Sequence, residues 1–233
     1  MAVILAGAVP LLAMLAVLWA QYRVRRIFAR HADIVSSFGQ PAHQAARYLL
    51  ASVGLRDIRV TAVPGSLTDH YDPARRVLRL SEEVYADDSI AAVAIAAHEV
   101  GHAMQDALGH PLLRLRVLVA RVASAFAAIA PLIMVLGLVV GIATRHPTAF
   151  AIAASGVVGL LLALLLAAVA LPVEFDASRR AHRSLEATGV ITEAEGPRVR
   201  ELLNAAAWTY LASLVGTFAR ALVWAMRVFG RIR

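Results

Sequence analysis

Three long blocks without a charged residue constrain this sequence more than any other feature. They comprise residues 2–20, 122–143 and 149–173 and are predominantly apolar. Each is close to the roughly 20 apolar residues that a helix needs to cross a bilayer. Composition agrees, because 60% of the 233 residues are hydrophobic and 17% are charged, with a mean hydropathy of +0.68, whereas soluble domains average about 25% charged residues. The sequence therefore predicts a mainly α polytopic membrane protein.

The arginines predict how such a protein is oriented. No lysine is present, so all 23 basic residues are arginine, and clusters follow the first apolar block and precede the second. Because basic residues favour the cytoplasmic side of a membrane, we expect a multi-pass protein whose polar segments face the cytoplasm. The lipid bilayer is then a partner. The sequence has no basic patch interleaved with aromatic residues, which argues against nucleic-acid binding.

The polar segments divide the chain into five predicted parts. These are an N-terminal transmembrane span (1–21), a cytoplasmic α+β domain (22–121), a transmembrane hairpin (122–173), a second cytoplasmic segment (174–202) and an amphipathic or re-entrant C-terminal helix (203–233). Arg220 and Arg227 interrupt the last part, which favours an interfacial or re-entrant helix there, with a fourth span as the alternative.

Apolar periodicity predicts a small α+β fold within the first cytoplasmic part. Residues 41–53 repeat apolar positions at helical spacing, and residues 58–62 and 76–80 alternate as strands do. Ser89 is a suitable N-cap for a second helix that continues to about Gln105.

That second helix carries the pattern H-E-x-x-H, as His98-Glu99-Val100-Gly101-His102. Residues four apart project from one helix face, so both imidazoles can bind the same Zn²⁺. Cysteine is absent from the sequence, so the ligands must be nitrogen and oxygen atoms. Glu99 is the candidate general base, which takes a proton from a zinc-activated water. We expect one Zn²⁺ per chain and a third protein ligand from elsewhere in the sequence.

Glu174 is the candidate for this third ligand. It is the first ionisable residue after the third apolar block, where a carboxylate is costly unless it is paired. The alternative is a charge at a helix N-terminus after Pro172, where the helix dipole favours it. Asp176 and Ser178 are candidates to hydrogen-bond a ligand histidine, with solvated surface positions as their alternative.

Four sequence motifs together resemble one bacterial family. In order they are Leu67-Thr68-Asp69-His70-Tyr71-Asp72-Pro73, Arg79-Leu80-Ser81-Glu82, Ala96-Ala97-His98-Glu99-Val100-Gly101-His102-Ala103 and Leu171-Pro172-Val173-Glu174-Phe175-Asp176-Ala177-Ser178. Over nearly the whole chain the sequence resembles the YugP-type membrane zinc metallopeptidases of bacteria. More distantly it is similar to the HtpX and Ste24 gluzincin proteases.

This resemblance implies a zincin-like fold and assigns further roles. The third zinc ligand of the distant relatives is the Glu of a Glu-Phe-x-Ala-Asp motif, which implies the same role for Glu174, although Ser178 stands where they have Asp. The resemblance also implies an edge strand that binds the substrate backbone, and residues 76–80 are the candidate for this strand. His70 and Tyr71 are candidate donors to the oxyanion of the transition state, with loop packing by Tyr71 as the alternative.

The sequence supports three functional hypotheses. The leading one is a zinc-dependent endopeptidase of the bacterial inner membrane, with its site at the cytoplasmic face, that hydrolyses unfolded or membrane proteins in quality control. The second is an intramembrane zinc protease, because the helix is apolar enough before His98 to lie within the bilayer. The third is a membrane scaffold or regulator in which zinc is structural.

Overall fold

A computed structural model describes residues 2–66, 68–144 and 147–229. Its helices and strands are, in chain order, α1 (Ala2–His31), α2 (Ala42–Ser52), β1 (Arg59–Val63), β2 (His70–Asp72), β3 (Val77–Ser81), α3 (Glu82–Ala86), α4 (Ile90–Ala107), α5 (Pro111–Thr144), α6 (Pro147–Thr188) and α7 (Gly196–Phe229). Leu67, and Arg145 and His146 of the predicted hairpin turn, lie outside the described residues.

The long helices correct the predicted fold class. Among the residues that the structure describes, none of the helices is both long enough and apolar enough to cross a membrane. This finding overturns the prediction of a polytopic membrane protein, and it gives the predicted multi-pass localisation no support. The prediction treated each apolar block as a separate span, whereas α6 continues from such a block through Glu174, Asp176 and Arg179 without a break. The fold is mainly helical, with a small sheet.

The chain divides into two compact units. The first, which we call the sheet unit, comprises Tyr22–Arg114 and Pro172–Trp208, and the second comprises Met1–Gln21, Leu115–Leu171 and Thr209–Arg233. All candidate site residues belong to the sheet unit. The finer division into five parts stays a prediction.

Helix α2 confirms the helix predicted over residues 41–53. Its buried residues lie at helical spacing along one face and are Ala42, Ala45, Ala46, Leu49 and Leu50. The chain leaves the helix through Gly54, whose φ of +78° favours glycine. The N–H of Leu55 then donates to the carbonyl of Leu50 at 2.8 Å, which closes the helix end.

The sheet has the strand order β1-β3-β2. β3 pairs parallel to β1 and antiparallel to β2, so both predicted strands are confirmed and a third strand lies in the loop between them. Since β3 is hydrogen-bonded on both sides, the prediction that residues 76–80 form an edge strand is wrong, and β2 lies at the edge. Val77, Leu78 and Leu80 are all buried, as in a central strand. β2 has only three residues, too few to show a periodic pattern.

Helix α4 begins and ends close to its predicted limits. The Oγ of its N-cap Ser89 accepts a hydrogen bond from the N–H of Ala92 at 3.1 Å. Its apolar residues before and within the H-E-x-x-H pattern belong to the hydrophobic core of the sheet unit, together with residues of α2 and β3. Ile90 and Val93 are at most 1% exposed. Packing within the protein therefore accounts for the apolar stretch that suggested a helix within the bilayer.

A glycine brings α4 and α6 into close contact. A Cβ at position 101 would overlap the carbonyl oxygen of Ala177 and lie 3.0 Å from its carbonyl carbon, whereas packed carbon atoms are about 3.5–4.0 Å apart. Glycine destabilises a helix interior by about 1 kcal/mol relative to alanine. Position 101 nevertheless requires glycine, because the backbones of α4 and α6 approach too closely for a side chain.

Glu195 connects the loop after α1 to the start of α7. Its carboxylate accepts hydrogen bonds from the backbone N–H groups of Ser37 and Thr192, each at 2.8 Å, and from the hydroxyls of the same two residues. Burial alone would raise the pKa of Glu195, but these four donors outweigh it and hold the pKa below its ordinary value.

Gly101→Ala is expected to lower the free energy of unfolding by about 1–3 kcal/mol, because the added methyl group forces the backbones of α4 and α6 apart. Thermal denaturation measures the effect. Adding Ala177→Gly should not restore stability, since the overlapped atoms belong to the backbone of residue 177. A gain in stability, as alanine gives at an open helix position, would contradict the close approach.

Glu195→Gln is expected to destabilise the fold by about 1–3 kcal/mol at pH 7. The folded pKa lies below the unfolded one, so the contribution of Glu195 is complete above about pH 4.3, the ordinary value for Glu, and is lost at lower pH. The stability difference between wild type and variant should therefore shrink from pH 7 to about pH 3. Glu193→Gln, at an exposed position of the same loop, is the matched control. A difference that does not change with pH would contradict this assignment.

Candidate metal centre

Three donor side chains from α4 and α6 converge within the sheet unit. The Oε2 of Glu174 lies 2.9 Å from His98 Nε2 and 3.4 Å from His102 Nε2. The three ligand atoms all lie within 4.8 Å of one another, and the group could hold a metal ion. The sequence-predicted residues His98, His102 and Glu174 are therefore together in space.

The donor set fits zinc. Two imidazole nitrogens and one carboxylate oxygen are ligands that Zn²⁺ accepts, and tetrahedral bonds of about 2.0–2.1 Å would separate them by roughly 3.3 Å. The observed separations from Glu174 Oε2, 2.9 Å and 3.4 Å, are close to this value. Glu174 is 1% exposed, and a carboxylate so deeply buried needs a compensating positive charge. A dication bound by these residues supplies one.

Helix geometry places each of the three residues. His98 and His102 are four residues apart in α4, and their rings meet edge to face at a centroid distance of 4.8 Å. Glu174 lies in the interior of α6, which continues through Pro172. The alternative of a charge at a helix N-terminus after Pro172 is therefore wrong, because no helix begins there.

The carboxylate of Glu99 is held by the edge strand. Its Oε2 accepts a hydrogen bond from the backbone N–H of Tyr71 at 2.9 Å, and Glu99 is 8% exposed. Among the described residues, none hydrogen-bonds its Oε1 atom. The hydrogen bond from Tyr71 thus fixes the direction of the Glu99 carboxylate.

The two candidate oxyanion donors have other partners in this structure. The hydroxyl of Tyr71 donates to Asp106 Oδ2 at 2.9 Å. Burial, together with this carboxylate, raises the pKa of Tyr71 above its usual range. His70 is exposed; its Nδ1 donates to the carbonyl of Thr68 at 2.7 Å, and its Nε2 accepts from Arg79 at 3.2 Å. Their roles in transition-state stabilisation stay predictions.

Ser178 orients His98. Its Oγ donates to the carbonyl of Leu203 at 3.4 Å and lies 3.2 Å from His98 Nδ1, from which it accepts a hydrogen bond. The Nδ1 atom of His98 therefore carries the ring proton, and its Nε2 keeps a lone pair on the side of Glu174.

Gln105 orients His102. Its amide nitrogen donates to the carbonyl of Val173 at 2.8 Å and to Asp176 Oδ2 at 2.9 Å. Both N–H groups are then used, so the atom 3.0 Å from His102 Nδ1 is the acceptor Oε1. The Nδ1 atom of His102 donates to it, which leaves Nε2 with the lone pair that a metal needs.

Asp176 is the last member of this chain of hydrogen bonds. Besides Gln105, it binds Arg180, whose Nε donates to Oδ2 at 2.6 Å. Burial would raise the pKa of Asp176, but the hydrogen bonds from Arg180 and Gln105 outweigh it, so the pKa lies below its usual range. The ionised carboxylate fixes the direction of the Gln105 amide.

Comparison with known proteins identifies the family. The model of a family described as "Putative neutral zinc metallopeptidase" matches residues 7–229. The chain belongs to this family. It is also 38% identical over 201 residues to "Putative membrane protease YugP" of Bacillus subtilis (strain 168), a match that covers 86% of each protein. This confirms the resemblance inferred from the four motifs. No solved structure matches the chain.

Membership of the zinc metallopeptidase family agrees with the donor set. The family is named for zinc, and the described residues contain a His-His-Glu cluster that could hold this metal.

The sequence did not predict two further groups at the site, the Gln105 side chain and the backbone N–H of Tyr71. The position of Gln105, three residues after His102 on the same helix face, was the available signal. No side-chain pattern could have revealed a backbone donor.

Gln105→Leu is expected to weaken zinc binding about 10- to 100-fold, because His102 loses the partner that fixes its tautomer. Competition with a chromophoric chelator measures the affinity. Gln44→Leu, at an exposed position of α2, is the matched control. Asp176→Asn should weaken binding in the same direction but less, since it keeps the shape of the site. Unchanged zinc affinity in folded Gln105→Leu protein would contradict the positioning role.

Proposed function

We propose that this protein is a zinc-dependent endopeptidase in which His98, His102 and Glu174 hold one Zn²⁺ and Glu99 is the general base. One observation carries the proposal. Three metal-binding atoms converge in a cluster in which His102 and Glu174 are buried, and the carboxylate next to His98 in the sequence is held in place by the backbone N–H of Tyr71. Three protein ligands would leave a bound zinc ion one open position, as in catalytic rather than structural zinc sites.

Zinc bound by these residues supplies the Lewis acidity that polarises a carbonyl group and makes water acidic. Glu99 takes a proton from the water molecule as the water oxygen attacks the peptide carbonyl carbon. The protonated Glu99 then gives this proton to the amide nitrogen as the C–N bond breaks. The products are a carboxylic acid and an amine.

The residues around the cluster support this chemistry because they hold the metal-binding side chains and Glu99 in fixed orientations. Ser178 and Gln105 fix the rings of His98 and His102, and the N–H of Tyr71 fixes Glu99. Preorganised groups do not have to reorient during the reaction, which lowers its barrier. The substrate is a polypeptide, and unfolded chains suit the site because a cleavable bond must reach the cluster in an extended conformation.

The competing hypothesis is a zinc-binding regulator without activity. It needs the same three ligands but gives Glu99 no role. A structural zinc site would have four protein ligands, and the described cluster has three.

Glu99→Gln is expected to keep one zinc per chain and to lower the rate of cleavage of an unfolded test protein by about 10²- to 10⁴-fold, because the amide cannot accept the proton. Metal analysis and a cleavage assay on the same preparation measure both quantities. Glu82→Gln, at an exposed position of α3, is the matched control. Equal cleavage by wild type and Glu99→Gln would contradict the mechanism, and zinc binding without cleavage by wild type would favour the regulator.

A further inference from the structure

A cavity of ≈ 700 Å³ is lined by residues of α6 and α7 in the sheet unit. We call it the arginine pocket and define it by Arg179, Arg183 and Arg200, with Phe175, Ser178 and Leu203. Its volume is in the range of ligand-binding cavities, about 300–1,000 Å³. Nothing in the proposed reaction uses it.

The three arginines have no carboxylate partner among the described residues. Within the described part of the chain, no acidic side chain lies within ion-pair distance of Arg179, Arg183 or Arg200. One carboxylate, Glu186, also lines the cavity, and it lies 3.2 Å from His182 Nδ1. By contrast, the neighbouring Arg180 binds Asp176. The cavity is therefore positively charged, and its guanidinium groups are available to a ligand.

The chemistry of the lining indicates the kind of ligand. Guanidinium groups bind carboxylates through paired N–H donors. Phe175 and Leu203 give the cavity an apolar wall, against which the methylene groups of a side chain can pack. An acidic side chain, with a carboxylate on a short apolar stem, matches both features.

The pocket is next to the metal cluster. Ser178 lines the cavity, and its Oγ lies 3.2 Å from His98 Nδ1. One imidazole ring and one hydrogen bond therefore separate the wall of the pocket from the nitrogen that faces Glu174. A residue in the pocket would be within a few residues of a peptide bond at the cluster, since an extended chain advances about 3.3–3.6 Å per residue.

We propose that the arginine pocket binds acidic side chains of the polypeptide substrate and so directs cleavage to acidic segments. This specificity rests on the proposed peptidase function. The pocket selects by charge complementarity, because a neutral side chain would leave three guanidinium groups without a counter-charge.

Binding is measured separately from cleavage to test this proposal. Full-length Glu99→Gln protein, loaded with zinc, is titrated against fluorescein-labelled unstructured peptides that differ only in Glu against Gln at two adjacent positions. The Glu peptide should bind about tenfold more tightly at low salt, and the preference should decrease as salt screens the charges. Adding Arg183→Gln should weaken binding of the Glu peptide about three- to tenfold and leave the Gln peptide unchanged.

A matched control is available on α7. Arg198→Gln removes the same charge two residues from Arg200, at an exposed position that does not line the cavity. It should leave the preference for the Glu peptide intact, and all variants should keep the thermal stability of the parent protein. Equal weakening by Arg198→Gln and Arg183→Gln would overturn the pocket as the site and indicate only a diffuse charge effect.

Two further results would overturn the proposal. One is equal affinity for the Glu and Gln peptides. The other is binding of inorganic phosphate that depends on Arg183 while the peptides show no charge preference, since the pocket would then serve a free anion. Cleavage of both peptides by wild type at equal rates would refute the specificity and leave the peptidase standing. Charge-dependent binding without any cleavage by wild type would support the pocket and refute the peptidase.

Discussion

The close contact between α4 and α6 is the constraint on which the rest of this structure depends. Position 101 lies inside the H-E-x-x-H pattern, and it faces the backbone of Ala177 so closely that no side chain fits. Since His98 and His102 flank this glycine on α4, and Glu174 lies three residues before Ala177 on α6, the same contact brings the three donors together. The arrangement of the three donors is thus a consequence of this packing interaction.

Hydrogen bonds then fix the orientation of the two histidine rings, so that defined nitrogen atoms face Glu174. Ser178 and Gln105 each hold the Nδ1 atom of one histidine, so that both Nε2 atoms are directed toward Glu174. Both supports involve α6 as well as α4, because Ser178 is in α6 and Gln105 binds Val173 and Asp176 there. The contact that assembles the ligands therefore also orients them.

The sequence alone predicted the side chains of the site better than it predicted the strand order and the fold class. Regular spacing within a helix predicted His98, Glu99 and His102 as site residues, and a carboxylate directly after an apolar block predicted Glu174. The two principal strands followed from alternation. Strand order could not be predicted, because β2 is too short to show an alternation of apolar and polar residues. Without β2, β3 has only β1 as a neighbour and is taken for an edge strand. The apolar blocks predicted a polytopic fold class, which the described helices contradict.

The most direct test of this account is X-ray absorption spectroscopy at the zinc edge of the purified, zinc-loaded protein. We expect two imidazole nitrogens and two oxygens at about 2.0–2.1 Å, one oxygen from a carboxylate and one from solvent. Glu174→Gln should either lose the metal or keep it without the carboxylate oxygen, and replacing His98 or His102 should remove one imidazole from any zinc that stays bound. A spectrum with four protein ligands, or one that Glu174→Gln does not change, would contradict a catalytic His-His-Glu site.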